Sequence, residues 1–340
     1  MIHLYRSATL AALSAALLAA APASADEVAD FFRGKTVTVI VPSGSGGTFH
    51  LYGQLMQRHI GKHIPGNPSV VVQNRPGAGG VKAANYMAAA APKDGTVIAE
   101  INPGSVIVPL MRKVHFDPRE FNWIGTLSVR TYTLAVWHNV AADTIEAHKK
   151  TEVVMGSSGV GSINFQLPTL LNEVIGTKYR VIKGYKGGGG INLAMERGEV
   201  QGRGNFYSGY LGAKPDWIRD GKVKIFATIG PVRDEVKTVP RLRDVVQGDI
   251  NGKMLRLLEV GFDIGQAFYL PPGTPKGRVD AIRTAFTNML KDKALLDEAA
   301  KRKVPVNSRT WQDNEKVVNA AFDVKPEVSQ RLAKILGLAN

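Results

Sequence analysis

Cysteine is absent from all 340 residues. That excludes thiol nucleophiles, iron–sulfur clusters, cysteine-bound zinc and disulfide staples. Stability must come from buried apolar surface, which a chain of this length can supply. Long apolar runs are as scarce. The one clear case is the small and apolar stretch Ala8 to Ala21, preceded by Arg6 and followed by Ala23-Ser24-Ala25. It reads as a secretory leader over 1–25 with cleavage after Ala25, being short and alanine-rich for a spanning helix. Nothing downstream is long and apolar enough to cross a bilayer, so an exported protein is expected.

Acidic residues are few, 29 Asp and Glu against 43 Lys and Arg, for a formal net charge of +14. Arg6 is the single charge of the leader, so its removal leaves 14 − 1 = +13. The basic residues are scattered (Lys149, Lys150, Arg241, Arg243, Lys301 to Lys303), with no stripe interleaved with aromatics. Nucleic acid is therefore not expected as a partner, and small anions are the remaining implication. Between Val153 and Tyr210 the acids are Glu173, Glu196 and Glu199 alone. No base stands beside a nucleophile, and Gly156-Ser157-Ser158-Gly159 has the wrong spacing for a nucleophile elbow. An enzyme is not expected. His59 and His63 have the i,i+4 spacing of helix-borne metal ligands, but no Glu follows His59, and Gln57, Arg58, Gly61 and Lys62 make that face polar. No metal and no cofactor are expected.

Glycine, at 36 residues, is what the sequence has in quantity. The stretch that organises the chain is Thr36 to His50. A β-branched run, Thr36 to Val41, stops at Pro42 and enters Ser43-Gly44-Ser45-Gly46-Gly47-Thr48. A helical spacing of Leu51, Leu55, Met56 and Ile60 follows. Strand, glycine turn and helix in that order aim backbone N–H groups at one point beside the positive end of the helix dipole, where an anion is stabilised. The turn lacks the lysine of a P-loop and the spacing of a dinucleotide fingerprint. Two later segments repeat its chemistry: Ser157 to Ser162 after the strand Val153–Gly156, and Tyr185 to Gly190 after the strand at 179–182. In parallel strands these turns converge in one cleft, where N–H groups and hydroxyls can hold a carboxylate. His50, in the first turn of the first helix, is placed to donate to an anion or, equally, to cap or pack. Arg203, between Gly202 and Gly204, has open approach for a bidentate carboxylate, or else lies on the surface.

Strands at Ser69–Gln73, Thr96–Ile101, 179–182, Val223–Thr228 and Gln266–Leu270 alternate with helical segments, including Lys276–Lys291, Ala294–Lys301 and about Pro326 to Leu336. That alternation predicts an α/β fold with mainly parallel sheets and with the strand C-ends on one edge. The last strand and helices share the pattern of the first hundred residues more than that of the middle. A discontinuous arrangement is expected: lobe one from 26–126 and 263–340, lobe two from 127–262, and two crossing segments as a hinge.

Ordered along the chain, Val39-Ile40-Val41-Pro42, Asn74-Arg75-Pro76-Gly77-Ala78-Gly79-Gly80, Pro92-Lys93-Asp94-Gly95-Thr96, Ser158-Gly159-Val160-Gly161-Ser162, Gly184-Tyr185-Lys186-Gly187 and Leu270-Pro271-Pro272-Gly273 resemble the TctC/Bug family. Its members are the extracytoplasmic solute receptors of tripartite tricarboxylate transporters. The resemblance covers essentially the whole chain after the leader. It implies a type II periplasmic binding protein of two lobes, a Venus flytrap. Such a protein is a periplasmic monomer that delivers a small carboxylate to a membrane permease of one large and one small subunit. It implies ligand contacts at Ser43, Gly44, Ser45, Gly46, Gly47 and Thr48, with Ser158, Gly161 and Ser162 opposite and Asn74 and Tyr185 nearby. The chain departs from the family pattern in having His50 for an Asp, Ser43 for a Phe, Asn164 for a His and Gln201 for an Asp, with Arg203 and Asn205 beyond. These exchanges remove negative or bulky groups and add hydrogen-bonding or positive ones. A dicarboxylate with its distal group on Arg203 or His50 is the ligand they suggest. A ligand-presenting partner of a sensor protein, or an exported enzyme acting on an anion, are the alternatives.

Overall fold

The computed structural model describes residues 23–339. The expected leader falls largely outside them, and a helix Ala23–Phe32 runs across its expected cleavage point. Eleven strands are described: β1 Thr36–Val41, β2 Ser69–Asn74, β3 Val97–Glu100, β4 Asn122–Thr126, β5 Tyr132–Trp137, β6 Val153–Gly156, β7 Tyr179–Ile182, β8 Gly202–Phe206, β9 Val223–Ile229, β10 Ala267–Leu270 and β11 Arg309–Thr310. They form two sheets. The first has the order β11-β4-β10-β3-β1-β2 and takes strands from both ends of the chain, while the second, β7-β6-β8-β5-β9, is contiguous in sequence.

The sheets are mixed, where mainly parallel ones were expected. β1 runs parallel to β2 and β3, and β6 runs parallel to β7 and β8. β10 runs antiparallel to its neighbours β3 and β4, β11 antiparallel to β4, and β5 pairs antiparallel with both β8 and β9. The reason lies in the apolar stretch 124–136. It is two strands, β4 and β5, one in each sheet, and the chain leaves one sheet at Thr126 and enters the other at Tyr132. A second crossing follows the helix Asp249–Ile264 and returns to β10. The two crossings lie side by side, with Leu127 N–H donating to the Gln266 carbonyl and Gln266 N–H donating to the Ser128 carbonyl, both at 2.9 Å.

β-branched residues build the inner strands, whose side chains suit a pleated surface covered on both faces. All four residues of β3 and of β10 are buried. The helix Thr48–His59 lies close on β1 because Gly53 has no side chain, and a Cβ there would sit 2.5 Å from Val41 Cγ2. The last helix, Pro326–Ile335, was expected to pack with the first sheet. Its buried Val328, Leu332 and Ala333 instead join a cluster with Leu167, Leu171, Leu255 and Leu258, on the helices Ile163–Ile175 and Asp249–Ile264 that belong with the second sheet. The helix before it, Trp311–Phe322, packs on β4, so the chain passes between the two sides a third time.

Candidate ligand cleft

The C-terminal ends of β1, β3, β6 and β8 and the N-terminal end of β5 face one cavity between the two sheets, which encloses about 50 Å³. That is room for a few water molecules, so the two sides stand nearly shut. From the β1 side come Pro42, Ser43, Thr48 and Phe49, and from the segment after β3 come Asn102 and Pro103. Opposite stand Ser158, Ser162, Ile163 and Asn164 around the helix start after β6. Tyr132, Arg203, Asn205 and Phe206 come from β5 and β8.

Three helices begin at the cavity or its rim: Thr48–His59, Ile163–Ile175 and Gly188–Glu196. None has an acidic residue in its first turn or a side chain capping its N-terminal amides, so each positive end is left for something else. In the loop after β6, Asn164 Oδ1 accepts from Ser157 Oγ at 3.1 Å and Ser158 N–H at 3.2 Å, which fixes the orientation of its amide. Its Nδ2 makes no hydrogen bond among the described residues. Ser162 Oγ donates to the Gly159 carbonyl at 2.6 Å. Asn74 has another task. Its Nδ2 donates to the Ser43 carbonyl at 2.6 Å, which holds the first loop from behind and does not reach the cavity.

Arg203 is the charge of the site. It is 4% exposed. Its Nη1 donates to the Gly188 carbonyl at 2.8 Å and to Asn192 Oδ1, and its Nε donates to its own neighbour Gly204 at 3.2 Å. Every acceptor is neutral, and Nη2 has none among the described residues. Burial pushes the guanidinium below its usual range, opposed by the phenol oxygens of Tyr210 and Tyr132. Burial in turn raises both phenols above theirs, so they remain neutral. A buried cation without an anion is costly, and the open side of the cavity is where an anion can reach it. Gly204 is required beside it, because a Cβ there would lie 2.3 Å from the Tyr132 hydroxyl.

Of the residues singled out from sequence, Ser43, Thr48, Ser158, Ser162, Asn164, Arg203 and Asn205 line the cavity. Gly44, Ser45, Gly46 and Gly47 do not, because they close it. Gly44 N–H donates to the Lys186 carbonyl across the gap at 2.6 Å. A Cβ on Gly47 would meet Gly188 N at 3.3 Å, and one on Gly189 would meet the Ser45 carbonyl oxygen at 2.5 Å. Gly161 belongs to a second such seam, where its N–H donates to the Ala78 carbonyl at 3.1 Å and a Cβ would meet that oxygen at 2.8 Å. Tyr185 and His50 are not on the wall, and His50 Nδ1 is buried without a partner. Asn102 and Pro103 were missed. The turn Asn102-Pro103-Gly104-Ser105 follows a strand as the other turns do, and that signal was present. Phe49, in the first turn of its helix, and Tyr132 and Phe206, at strand ends, carried none, since an aromatic in such a place reads as core.

Two sheets with a nearly shut cavity between their strand ends, lined by helix N-termini and one buried arginine, define a two-lobed solute-binding fold. The profile of the family described as "Tripartite tricarboxylate transporter family receptor" matches residues 54–333, and the chain belongs to that family. Among curated relatives, the "UPF0065 protein in gbd 5'region" of Cupriavidus necator is 28% identical over 297 residues, 84% of this chain and 83% of its own length. Solved structures share the fold. The periplasmic binding protein BugD has a TM-score of 0.72 at 21% identity, over 90% of this chain and 98% of its own. MatC from Rhodopseudomonas palustris with bound malate has a TM-score of 0.69 at 22% identity, over 89% and 99%. A further R. palustris protein, with adipate, has a TM-score of 0.68 at 20% identity, over 90% and 98%.

Proposed function

We propose that this protein is a periplasmic receptor, with no catalytic activity, that captures a small dicarboxylate and delivers it to a tripartite-type membrane permease. The observation that carries the reading is Arg203, a buried cation at the cavity wall with no acid against it among the described residues. One ligand carboxylate meets the helix N-termini and the Ser158, Ser162 and Asn164 side, and the other meets Arg203. His50, the alternative distal partner, is not among the residues lining the cavity, which favours Arg203 in that role. Malate in MatC and adipate in its R. palustris relative support the ligand class. The first sheet with its helices forms one lobe and the second sheet the other, and the ligand bridges them and favours the closed form that the permease recognises.

The test is a thermal-shift series on refolded, ligand-stripped protein with malate, adipate, acetate, benzoate and phosphate. A ligand that binds the native state alone raises the melting temperature, by about 2.7 kcal/mol of stability at one hundred times its Kd. Malate or adipate is expected to shift the transition more than either monocarboxylate. Equal shifts would remove the role given to Arg203, and no shift with any anion would overturn the carboxylate reading.

A further inference from the structure

Directly behind the cavity wall lies a second buried polar cluster that ligand binding as described does not use. Glu100 ends β3, two residues before Asn102, and is 0% exposed. Neither of its carboxyl oxygens has a hydrogen-bond partner among the described residues. Arg130, 3% exposed, stands on the first crossing segment. Its Nη2 donates to Gln266 Oε1 on the second crossing segment, while Nε and Nη1 have no partner among the described residues. Its guanidinium lies 3.7 Å from the ring centre of Phe206, which lines the cavity, and 5.0 Å from that of Tyr52. Gln266 Nε2 is buried without a partner among the described residues as well.

The cluster is assembled from three sources. Glu100 and Tyr52 come from the first sheet and its helix, Phe206 from the second, and Arg130 and Gln266 from the crossings between them. Arg130, whose guanidinium lies against Tyr52 of the first side and Phe206 of the second, is where shutting the two sides bears on the cluster. An ionised carboxylate with no donor in a dry site is far less stable than the neutral acid, whereas the same group in water keeps its charge. We propose that closing the two lobes traps Glu100 as the neutral acid, so that closure takes up a proton at the hinge and weakens as the pH rises.

This inference concerns the regulation of the same cleft and rests on the reading that the cleft opens and closes. Among the charged and titratable groups around Glu100, Arg130 favours the carboxylate, but burial is the larger effect and raises the carboxyl well above its usual range. Arg130 itself is lowered by burial to about 10 and stays a cation at neutral pH. Tyr52 on the adjoining helix and Tyr269 on β10 are phenols that burial raises, and both are neutral. Glu100 is thus the group whose charge changes. Its raised value gives the closed form more bound protons than the open form over the window from the ordinary carboxylate range up to that value.

The absence of cysteine makes the test direct. Lys93→Cys and Lys150→Cys, both exposed and at the strand ends away from the cleft on either side, accept a fluorophore pair. Single-molecule energy transfer between them reports closure without any ligand. The expected result is a closed population that shrinks severalfold between pH 5 and pH 8. With Glu100→Gln, a neutral group of the same shape, it should stay large and independent of pH. A closed population that is constant with pH, or one that keeps its pH dependence in E100Q, would overturn the proton link alone. A single population at every pH would overturn the opening and closing itself. Urea unfolding supplies a readout that does not depend on labelling. If Glu100 is buried as the acid, the unfolding midpoint of the unlabelled wild type falls more from pH 5 to pH 8 than that of E100Q, and parallel curves would count against the proposal.

Discussion

An arginine with two nitrogens tied to neutral acceptors and a third unbound holds a full charge that no carboxylate among the described residues offsets. The consequence can be measured in opposite directions on the same variant. In Arg203→Met the ligand-free protein should melt at or above the wild-type temperature, because an apolar side chain of similar reach avoids burying a charge. Binding of whichever dicarboxylate shifts the wild type should weaken by about 2–5 kcal/mol, about 30-fold or more, by calorimetry. Unchanged affinity would place the ligand elsewhere. At this scale the sequence was informative where chemistry and local backbone coincide. A hydroxyl in a glycine turn after a strand, such as Ser43, Ser158 or Ser162, can hardly avoid the strand-end edge. It was uninformative for Asn74 and His50, whose side-chain directions depend on contacts far along the chain, as with the Ser43 carbonyl that Asn74 holds.

At the scale of elements, the tetraglycine start of the helix Gly188–Glu196 packs edge to edge with the loop Ser43–Gly47. Gly189→Ala separates two effects. Alanine favours an isolated helix by up to about 1 kcal/mol, yet its methyl group would meet the Ser45 carbonyl oxygen when the lobes are shut. The variant should unfold at an unchanged or higher urea concentration while small-angle scattering shows a more open molecule. A scattering profile identical to the wild type would mean that the seam can yield. A different element pair should show in acid. Burial alone would raise the Glu298 carboxyl, but hydrogen bonds from Arg58, His59 and Arg302 overcome it and hold the group down at about 2, joining the helices Thr48–His59 and Lys293–Lys301. A depressed carboxyl contributes stability that is present above its unfolded value and lost as pH falls toward 2. The acid limb of the wild-type stability curve between about pH 4.5 and 2 should therefore be shallower in Glu298→Gln, by at most about 3 kcal/mol before solvent screening. Coincident acid limbs in the two proteins would argue that the cluster adds nothing. Neither pairing was legible beforehand. A glycine run signals permissive backbone, and its partner loop lies 140 residues away in the chain.

For the whole molecule, the two-sheet division followed from strand–helix alternation, while the antiparallel strands did not, because an apolar run such as 124–136 does not mark the point where the chain changes sheets. The long helix Asp249–Ile264 and the helix Trp311–Phe322 were also unread, since each lies between segments with stronger punctuation. The last helix depends on that missing neighbour for its place. Ending the chain after Asp323 would strip Val328, Leu332 and Leu336 from the larger core. At about 1.5–3 kcal/mol for each buried side chain, an upper bound, the loss is a large part of the stability of most proteins. Urea titration of the truncated chain should show a midpoint well below the wild type. An unchanged midpoint would mean that the helix is an accessory. Its position also has a mechanical meaning. Two straps lying side by side let one body both swing and wring against the other, as a door hung on cloth would. The third pass, from the helix on β4 to the helix beneath the second sheet, is a further tie between the two bodies. It resists the wringing and leaves the swing, so the mouth would gape along one arc and return to the same register each time.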